Sequence, residues 1–347
     1  MNIDWQNVNR VLVIRLRSIG DTVLSTPSLI ALRRFLPDAQ IDVLLEDWVA
    51  PVLEGFDEVD NVISVGTDLK GRLRTAWKLM RDRYDVVFNL HGGPTSRFFT
   101  NSASKIHSVG YLHYPRGAGY FHAFPPASRY WNKEPTHSAE QQLALLGYAG
   151  VPVDDRPKSK LIVTPEAAYQ IAIRLPENFG EFALVHPTSA FATKEWAITN
   201  FARTAEYLAG QGIKTIAVAA KDESDKLDAL KANSKVPILT LSGIPLPEIT
   251  ALAARATLFV GNDSGIAHIA AAVNTPTVVV FGSSNRDHWR PWINAPNEIV
   301  FNPFECQPCP GYECKVYGTP KCIISVSPDQ VIGAIERVLA QSEKGGP

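Results

Sequence analysis

The stretch RLRSIGDTVLS, residues 15–25, places a carboxylate, Asp21, shortly after the apolar run VLVIRL. Open α/β sheets bind their ligands at the carboxyl ends of strands, so this position suits a reacting group. Gly20 would provide the tight turn that such a position needs. Asp21 could take a proton from a substrate hydroxyl as a general base, or it could cap the helix that follows. The residues alone leave both interpretations open.

A second candidate site follows the apolar run TLFVG, in the stretch GNDSGIAHIAAAV, residues 261–273. Asn, Asp and Ser ahead of an apolar run are typical helix-capping residues, and Gly265 would let another backbone approach closely. The free N–H groups and the positive dipole end of a helix can bind an anion such as a phosphate. The stretch therefore predicts either an anion site or an ordinary well-capped helix.

Two further loops carry residues suited to a nucleotide. HPTSAFATKEW, residues 186–196, combines hydroxyl residues with Lys194 after a strand, as a phosphate-binding loop requires, but it has no Walker A pattern. Glu223 follows the run IKTIAVAA and could accept hydrogen bonds from a ribose, although a solvated helix start explains that residue more simply. No GxGxxG follows any strand, which argues against a dinucleotide oxidoreductase, and neither HExxH nor GxSxG occurs.

The segment LKGRLRTAWKLMRDRYD, residues 69–85, separates basic from apolar residues at helical spacing. The basic face consists of Lys70, Arg74, Lys78 and Arg81. The apolar face consists of Leu73, Trp77, Met80 and Tyr84. Such charge runs are usually solvated faces. In a chain of net charge −1 this cluster could instead hold a phosphorylated or anionic-lipid substrate.

All four cysteines lie in one short stretch near the carboxyl end: Cys306, Cys309, Cys314 and Cys322. In a reducing compartment such a cluster favours metal ligands or free thiols over disulfides. CQPC has zinc-knuckle spacing, but the intervals that follow match no standard zinc ribbon. We expect a structural thiol cluster, with a structural metal site as the alternative.

The composition, 45% hydrophobic and 20% charged over 347 residues, is that of a globular protein long enough for two domains. The near-zero net charge gives no indication of nucleic-acid binding. The apolar runs fall far short of the roughly 20 residues that span a bilayer. The start MNIDWQNVNR lacks the apolar core of a signal peptide, so we expect a cytoplasmic protein.

Short apolar runs alternate with helical patterns along the whole chain, which predicts parallel sheets built from βαβ units. The predicted strands are residues 11–16, 41–46, 62–65, 86–90, 108–112, 182–187, 213–220, 238–241, 257–261 and 275–282. The alternation pauses between Pro135 and Phe182, as expected of a bridge between two doubly wound domains. Residues 111–131 look like a loop, and Ser327-Pro328 with Gln330 predicts the start of a last helix.

Taken together, these residues resemble glycosyltransferase family 9, which includes the ADP-heptose:lipopolysaccharide heptosyltransferases. The likeness opens with RLRSIGDTVLSTPSLIALRRFLPDAQIDVL and closes with Asn-Asp-Ser-Gly-Ile-Ala-His, VVVFGSS and a cysteine-containing tail. It implies an α/β fold of the GT-B type, with two Rossmann-like doubly wound domains facing across a cleft. Residues 1–163 would bind the acceptor and residues 164–347 the nucleotide sugar.

The resemblance implies an inverting, metal-independent and cofactor-free transfer of a heptose from ADP-heptose to the inner core of lipopolysaccharide. It makes Asp21 the general base, and Arg72, Arg74 and Lys78 the residues that face the acceptor's phosphates. The donor-binding residues that it implies are Thr188, Ser189, Lys194, Glu223, Asp263, Ser264, Gly265 and His268. The chemistry agrees, since inverting transfer needs one base and an anion site for the departing diphosphate.

Local departures from the family pattern concern the donor. The loop that reads Asn-Pro-Gly-Ala in relatives is His-Pro-Thr-Ser at 186–189, Glu-Trp-Ala follows Lys194, and Ala219-Ala220 replaces a glycine pair. The alternatives are a transferase with another nucleotide-sugar donor, a nucleotide-sugar epimerase or hydrolase, and a non-catalytic nucleotide-sugar-binding protein. Because the implied acceptor is a lipid-linked saccharide, we also expect peripheral contact with an anionic membrane, on the cytosolic face of the inner membrane.

Overall fold

The structure is a computed structural model and describes residues 3–103, 105–114, 120–309 and 312–344. The chain divides into two compact units, Met1–Ile162 and Val163–Pro347, and each contains one six-stranded sheet. Within the described residues, no helix is both long enough and apolar enough to cross a membrane.

The first unit alternates strands with helices. Its strands are β1 (Arg10–Ile14), β2 (Gln40–Glu46), β3 (Asn61–Val65), β4 (Tyr84–Asn89), β5 (Lys105–Tyr111) and β6 (His122–Phe124). Its helices are α1 (Ile19–Val23), α2 (Thr26–Phe35), α3 (Leu69–Asp82), α4 (Pro94–Ser102), α5 (Ala127–Trp131) and α6 (Ser138–Tyr148). The strands pair in parallel in the order β3-β2-β1-β4-β5-β6.

The centre of this sheet explains why the apolar runs do not alternate with polar residues. Leu12 and Ile14 on β1 are fully buried and pack in one cluster with Leu44 of β2 and Val87 of β4. Val13, which points to the other face of the sheet, is buried as well. Strands covered on both faces must be apolar at every position, so the continuous run predicted the parallel sheet.

The second unit repeats the pattern. Its strands are β7 (Phe182–His186), β8 (Lys214–Ala219), β9 (Ile238–Ser242), β10 (Leu258–Asn262), β11 (Thr277–Val280) and β12 (Asn297–Val300). Its helices are α7 (Pro165–Arg174), α8 (Ile198–Gly210), α9 (Ser224–Asn233), α10 (Leu246–Arg255), α11 (Gly265–Ala272), α12 (Arg286–Trp289), α13 (Lys321–Ile324) and α14 (Pro328–Lys344). The order is β12-β11-β10-β7-β8-β9, again parallel throughout.

The two sheets have the same topology when each is counted from its own first strand: 3-2-1-4-5-6, the Rossmann order. In each, the first strand lies beside the fourth, so β1 pairs with β4 and β7 pairs with β10. The chain leaves these two neighbours in opposite directions, which opens a crevice at their carboxyl ends. The residues that follow these four strands are therefore the expected ligand positions.

Each strand that the sequence predicts is present, and the predictions for two other regions are wrong in part. Residues 111–131 are not simply a loop, because they contain β6 and α5; residues 115–119 lie outside the described part. Gly20 does not form a tight turn, because it is a buried helical residue of α1. Residues 15–18, between β1 and that helix, have no regular secondary structure.

The predicted start of the last helix is confirmed. The Ser327 N–H donates to Gln330 Oε1 at 2.9 Å, and the Gln330 N–H donates to Ser327 Oγ at 3.2 Å. This reciprocal pair is a capping box, which satisfies two N–H groups that would otherwise lack partners. The helix, α14, then buries Val331, Ile335 and Val338 completely in the core of the second unit.

Candidate functional site

Asp21 lies in the first turn of α1, at the carboxyl end of β1. Its Oδ2 accepts hydrogen bonds from the Ser18 hydroxyl at 3.1 Å and the Ser18 N–H at 3.4 Å, and its Oδ1 forms an ion pair with the Arg15 guanidinium. The capping role is therefore present in the structure. The side chain is about one-fifth exposed, so one edge of the carboxylate remains open to a substrate.

Arg15 connects the two strands at this switch point. It is buried, and besides contacting Asp21 it donates from Nη1 to the Leu90 carbonyl, just beyond β4, at 2.8 Å. The sequence analysis did not select Arg15, because an arginine in an apolar run gives no signal of its partner. The guanidinium fixes the carboxylate in one orientation, as a reacting group requires.

His91 is the second residue of this site that the sequence did not reveal. Burial and, to a lesser extent, the positive charge of Arg15 lower the pKa of His91 to about 4, against the opposing effect of Asp21. Its imidazole is therefore neutral at pH 7. The backbone N–H of His91 donates to Asn89 Oδ1 at 3.1 Å, and this bond holds the loop after β4. The first switch point thus combines one carboxylate, one guanidinium and one neutral imidazole.

The glycine that follows His91 is required by packing. Gly92 has a φ of +82°, and a Cβ there would lie 2.5 Å from the ring of Tyr114. The Tyr114 hydroxyl donates to the Leu90 carbonyl at 3.3 Å, and burial raises the pKa of this phenol well above its usual value. The Tyr114 side chain therefore stays uncharged and packs close to Asp21 and Arg15.

The structure separates the three basic residues that were predicted to bind the acceptor. Arg74 and Lys78 are exposed on α3, whereas Arg72 is half-buried on the side of the helix that carries the buried Leu79. Lys78 forms an ion pair with Asp82 at 2.5 Å. The three side chains therefore do not form one cluster, and of the three only Lys78 has an ion-pair partner within the described residues.

In the second unit the predicted residues Lys194 and Asp263 come together. Lys194 Nζ lies 2.8 Å from Asp263 Oδ2, and the same oxygen accepts from the Ser284 hydroxyl at 2.5 Å. Asp263 is almost fully buried, and the Lys194 side chain is about one-fifth exposed. Asp263 therefore holds the ammonium group beside Ser264, the N-cap of α11, where a helix attracts anions.

Asn262, at the end of β10, anchors the loop that carries Lys194. Its Nδ2 donates to the Pro187 carbonyl at 2.9 Å, and its Oδ1 accepts from the Trp196 N–H at 3.0 Å. The two bonds fix both ends of the loop from one buried amide. A Cβ at Gly282 would lie 2.2 Å from the Thr193 carbonyl oxygen, so the segment after β11 also touches this loop.

A chain of hydrogen bonds links the start of α11 to Glu223. Ser264 Oγ lies 3.0 Å from His186 Nδ1, Thr188 Oγ1 lies 3.2 Å from His186 Nε2, and Thr188 donates to Glu223 Oε2 at 2.8 Å. Thr188 has one hydroxyl proton and gives it to Glu223, so it accepts from His186 Nε2–H. His186 Nδ1 then accepts from Ser264. The four side chains form a network with a single direction.

The protonation of His186 is consistent with this direction. Complete burial lowers the pKa of His186 to about 4, so the imidazole is neutral at pH 7 and has one donor and one acceptor. The sequence analysis noted this residue only as a departure from the family pattern and missed its role. The signal was present, because a histidine at the end of a buried strand needs two partners.

The remaining predicted donor residues lie close in sequence to these contacts. Ser189 follows Thr188 and is half-buried, and Gly265 is the half-buried first residue of α11. His268 is almost fully buried one turn into the same helix. Of the three, Ser189 and Gly265 have the exposure that direct contact with a ligand requires.

The four cysteines are free thiols in the structure. Three are half-buried and Cys322, in α13, is buried. Burial raises the pKa of the Cys322 thiol, and the neighbouring Cys309, Cys306 and Cys314 raise it further. Over the described part of the chain, no group of three or more His, Cys, Asp or Glu side chains is placed to hold a metal ion. The Cys309 N–H donates to the Ser283 carbonyl, so this tail packs beside the loop after β11.

A cavity of about 730 Å³ opens at the opposite, amino ends of β8 and β9. Its lining is mostly apolar and includes Ala205, Ile213 and Ile238. None of the predicted donor residues lines it. Ligands of open α/β sheets bind at the carboxyl ends, where the polar network lies, so we place the candidate site there and not in this cavity.

Comparison with known proteins identifies the family. The model of the family described as glycosyltransferase family 9 (heptosyltransferase) matches residues 72–319. This chain belongs to glycosyltransferase family 9. It is therefore a glycosyltransferase, and the resemblance seen in the sequence is confirmed.

Relatives of this glycosyltransferase match it over almost its whole length. Lipopolysaccharide heptosyltransferase 3 of Escherichia coli is 28% identical, covering 95% of this chain and 99% of the relative. The crystal structure of the glycosyltransferase family 9 protein of Veillonella parvula matches with a TM-score of 0.82 at 20% identity, covering 96% and 98% of the two chains. The structure of E. coli ADP-heptose lps heptosyltransferase II matches with a TM-score of 0.76 at 21% sequence identity, covering 96% of this chain and 99% of that one. These structures confirm the GT-B fold, with two Rossmann-like domains.

Proposed function

We propose that this glycosyltransferase moves a heptose from ADP-heptose to the inner core of lipopolysaccharide, with inversion at the anomeric carbon. The network Lys194–Asp263 beside the start of α11 carries the proposal, because it presents positive charge where a departing diphosphate needs it. Two of the proteins described above, lipopolysaccharide heptosyltransferase 3 and ADP-heptose lps heptosyltransferase II of E. coli, are heptosyltransferases by name, which supports this donor and this acceptor.

The first domain, residues 1–163, supplies the base and binds the acceptor in this proposal. Asp21 Oδ2 takes the proton of the acceptor hydroxyl as that oxygen attacks the anomeric carbon. The contacts of this oxygen with Ser18, at 3.1 and 3.4 Å, are the ones that the acceptor hydroxyl would replace. Arg15 keeps the other oxygen in place during this exchange. Arg74, and with it Arg72 and Lys78, would attract the acceptor's phosphates.

The second domain, residues 164–347, binds ADP-heptose and stabilises ADP as it leaves. Lys194 and the N–H groups at Ser264 and Gly265 bind the diphosphate. Glu223 accepts from the ribose hydroxyls, and Thr188 and Ser189 line the path between ribose and phosphate. His268 supports the first turn of α11 from inside. The His186 network then ties the ribose end to the phosphate end.

The transfer is metal-independent in this proposal, because a lysine and a helix dipole provide the charge that a divalent ion provides in other transferases. The expected outcome is that activity persists in EDTA. Metal analysis of the purified protein, with and without a quadruple Cys→Ser variant at 306, 309, 314 and 322, tests the cysteine cluster separately. Loss of activity in EDTA with an intact fold would contradict metal independence.

The acceptor is anchored in a bilayer, so the proposal includes contact with an anionic membrane at the cytosolic leaflet. The exposed basic residues of α3 support it, since each lysine or arginine near an anionic surface contributes about 1 kcal/mol. Salt should weaken such electrostatic contact.

The deciding experiment measures ADP release from ADP-heptose, with and without a truncated lipopolysaccharide acceptor. Release that depends on the acceptor supports the transferase. Release without acceptor favours a hydrolase or an epimerase. A folded protein that binds ADP but releases none from ADP-heptose, with or without acceptor, requires a panel of other nucleotide sugars. If no nucleotide sugar of that panel releases its nucleotide, the protein is a non-catalytic nucleotide-sugar-binding protein.

A further inference from the structure

Helix α3 exposes a line of large apolar side chains to solvent. Leu69, Leu73, Trp77 and Met80 have 72%, 54%, 58% and 56% of their surface accessible. The sequence pattern of this segment is amphipathic, and such apolar faces normally pack on the core. Here the core side of α3 consists of Thr75, Ala76 and Leu79, whereas each of the four larger apolar side chains is more than half exposed in the described part of the first domain.

The exposed residues form a narrow stripe. With about 100° between successive helical residues, Leu69, Leu73, Trp77 and Met80 fall within an arc of about 80°. We call these four residues the apolar stripe. A contact surface of large side chains at this spacing is more than scattered exposure, which needs no explanation.

Basic residues border the stripe along one side. Lys70, Arg74 and Arg81 are exposed, and helical geometry places them within about 60° of Trp77. The Arg81 guanidinium stacks over the Trp77 ring at 4.6 Å. The acidic residue of the helix, Asp82, already pairs with Lys78, so it does not cancel these charges.

We propose that α3 is an interfacial helix that lies in the plane of an anionic bilayer, with the apolar stripe inserted among the lipid headgroups. A polar face rich in lysine and arginine beside a face with tryptophan and leucine is the pattern of helices that bind this way. Tryptophan favours the headgroup level because its ring is both apolar and polar. The 14-residue helix, about 21 Å long, lies flat and does not cross the membrane.

The charge of the surface selects this occupant. A protein partner or a second copy of this chain would need acidic groups opposite Lys70, Arg74 and Arg81, whereas an anionic bilayer supplies them at every position. Insertion goes further than the electrostatic contact proposed above, since the apolar stripe keeps the protein bound when salt screens the charges. Only its purpose, to bring the active site to a lipid acceptor, rests on the proposed function.

The test is co-flotation of the full chain with phosphatidylcholine vesicles that contain phosphatidylglycerol, in the absence of donor and acceptor. We expect wild-type protein to float, and part of it to remain bound at high salt. The double variant Leu73→Ser/Trp77→Ser should bind at least about tenfold more weakly. Lys70→Glu/Arg81→Glu should lose binding at low salt.

The matched control is Tyr169→Ser/Ile173→Ser on α7. These two residues are also four apart on a helix and each is 60% exposed. They carry no such basic border, so this variant should float like wild type. Equal binding of the Leu73/Trp77 variant and wild type, or no flotation of wild type, would overturn the proposal.

Two further measurements separate this proposal from others. Sedimentation without lipid detects self-association; a wild-type dimer that the Leu73/Trp77 variant abolishes would assign the apolar stripe to a second copy and overturn the membrane assignment. Transfer to a delipidated, soluble acceptor should be unchanged in the same variant. The vesicle experiment therefore stands even if ADP-heptose proves to be the wrong donor.

Discussion

The two switch points of this protein have the same strand topology and opposite chemistry. After β1 and β4 the first domain presents a carboxylate, Asp21, that is held by a guanidinium. After β7 and β10 the second domain presents an ammonium group, Lys194, that is held by a carboxylate. The fold places a crevice at each switch point, and in the proposed function a few loop residues decide whether that crevice accepts a proton or holds an anion.

The two crevices are also braced in the same way by different residues. In the first, Arg15 follows β1 and reaches the Leu90 carbonyl beyond β4. In the second, Asn262 ends β10 and reaches the Pro187 carbonyl and the Trp196 N–H beyond β7. One buried polar side chain thus spans each switch point. A buried donor that loses its partner is costly, so these braces keep the loops rigid.

The comparison predicts the largest effect at Asp21. Asp21→Asn removes the base without changing the shape of the side chain, so kcat should fall by about 10²–10⁴-fold while the Kd for ADP stays as in wild type. Steady-state kinetics and calorimetric titration with ADP measure the two quantities. The control is Asp68→Asn, since Asp68 also caps a helix through a 3.2 Å bond but lies at the start of α3. An equal loss of kcat in both variants would show that Asp21 acts only as a helix cap.

The second prediction concerns the anion site. Lys194→Gln should raise the Kd for ADP and for inorganic pyrophosphate by about 10–100-fold, since it removes a charge-assisted contact. The control is Lys226→Gln, which breaks the nearby pair with Glu195. Unchanged binding of both ligands by the Lys194 variant would place the diphosphate elsewhere.

The third prediction uses the neutral histidine in each crevice. Burial lowers the pKa of both His91 and His186 to about 4, against about 6.5 in the unfolded chain. Below pH 6.5 the unfolded state therefore binds protons that the native state does not, so stability is complete above pH 6.5 and falls toward pH 4. Each histidine should contribute up to about 3 kcal/mol to this loss.

Urea unfolding at several pH values measures this effect. His91→Gln and His186→Gln should each reduce the slope of stability against pH between 6.5 and 4, whatever they do to stability at pH 7. A slope equal to that of wild type in one variant would show that this crevice admits water and a proton in the native state.

The smallest expected effect is at Glu223. Glu223→Gln keeps an acceptor for the Thr188 hydroxyl but removes the charge that favours ribose hydroxyls, so the Kd for ADP should rise about three- to tenfold. Pyrophosphate, which has no ribose, should bind as in wild type. Glu195→Gln is the control, because this nearby carboxylate pairs with Lys226 instead of the network. If the Glu223→Gln variant binds pyrophosphate as much more weakly as it binds ADP, Glu223 does not contact the ribose.

Local patterns in the sequence predicted the α/β fold and the strands of both sheets, because buried parallel strands are apolar at each position. They missed β6 and β12, which are short strands at the sheet edges with weak apolar patterns. They also predicted the start of α14, since its capping box uses residues that are neighbours in sequence.

Contacts between distant segments were harder to predict. Lys194 and Asp263 were both selected, but their pairing depends on β7 lying beside β10. Arg15 and His91 owe their roles to burial and to partners on other segments, which no spacing rule reveals, and the position of His186 at a strand end indicated that it needs partners but not which ones. The exposure of Trp77 was missed for the same reason, since periodicity shows an apolar face but not what covers it.

The last helix has a consequence for how the chain is made. Val331, Ala334, Ile335 and Val338 are fully buried in the core of the second domain. That core cannot close until synthesis has passed residue 338, whereas the first domain is complete at Ile162. Domains fold as units while the chain emerges. The first domain should therefore be folded before α14 completes the core around β7–β12, and that interval is when chaperones would be needed.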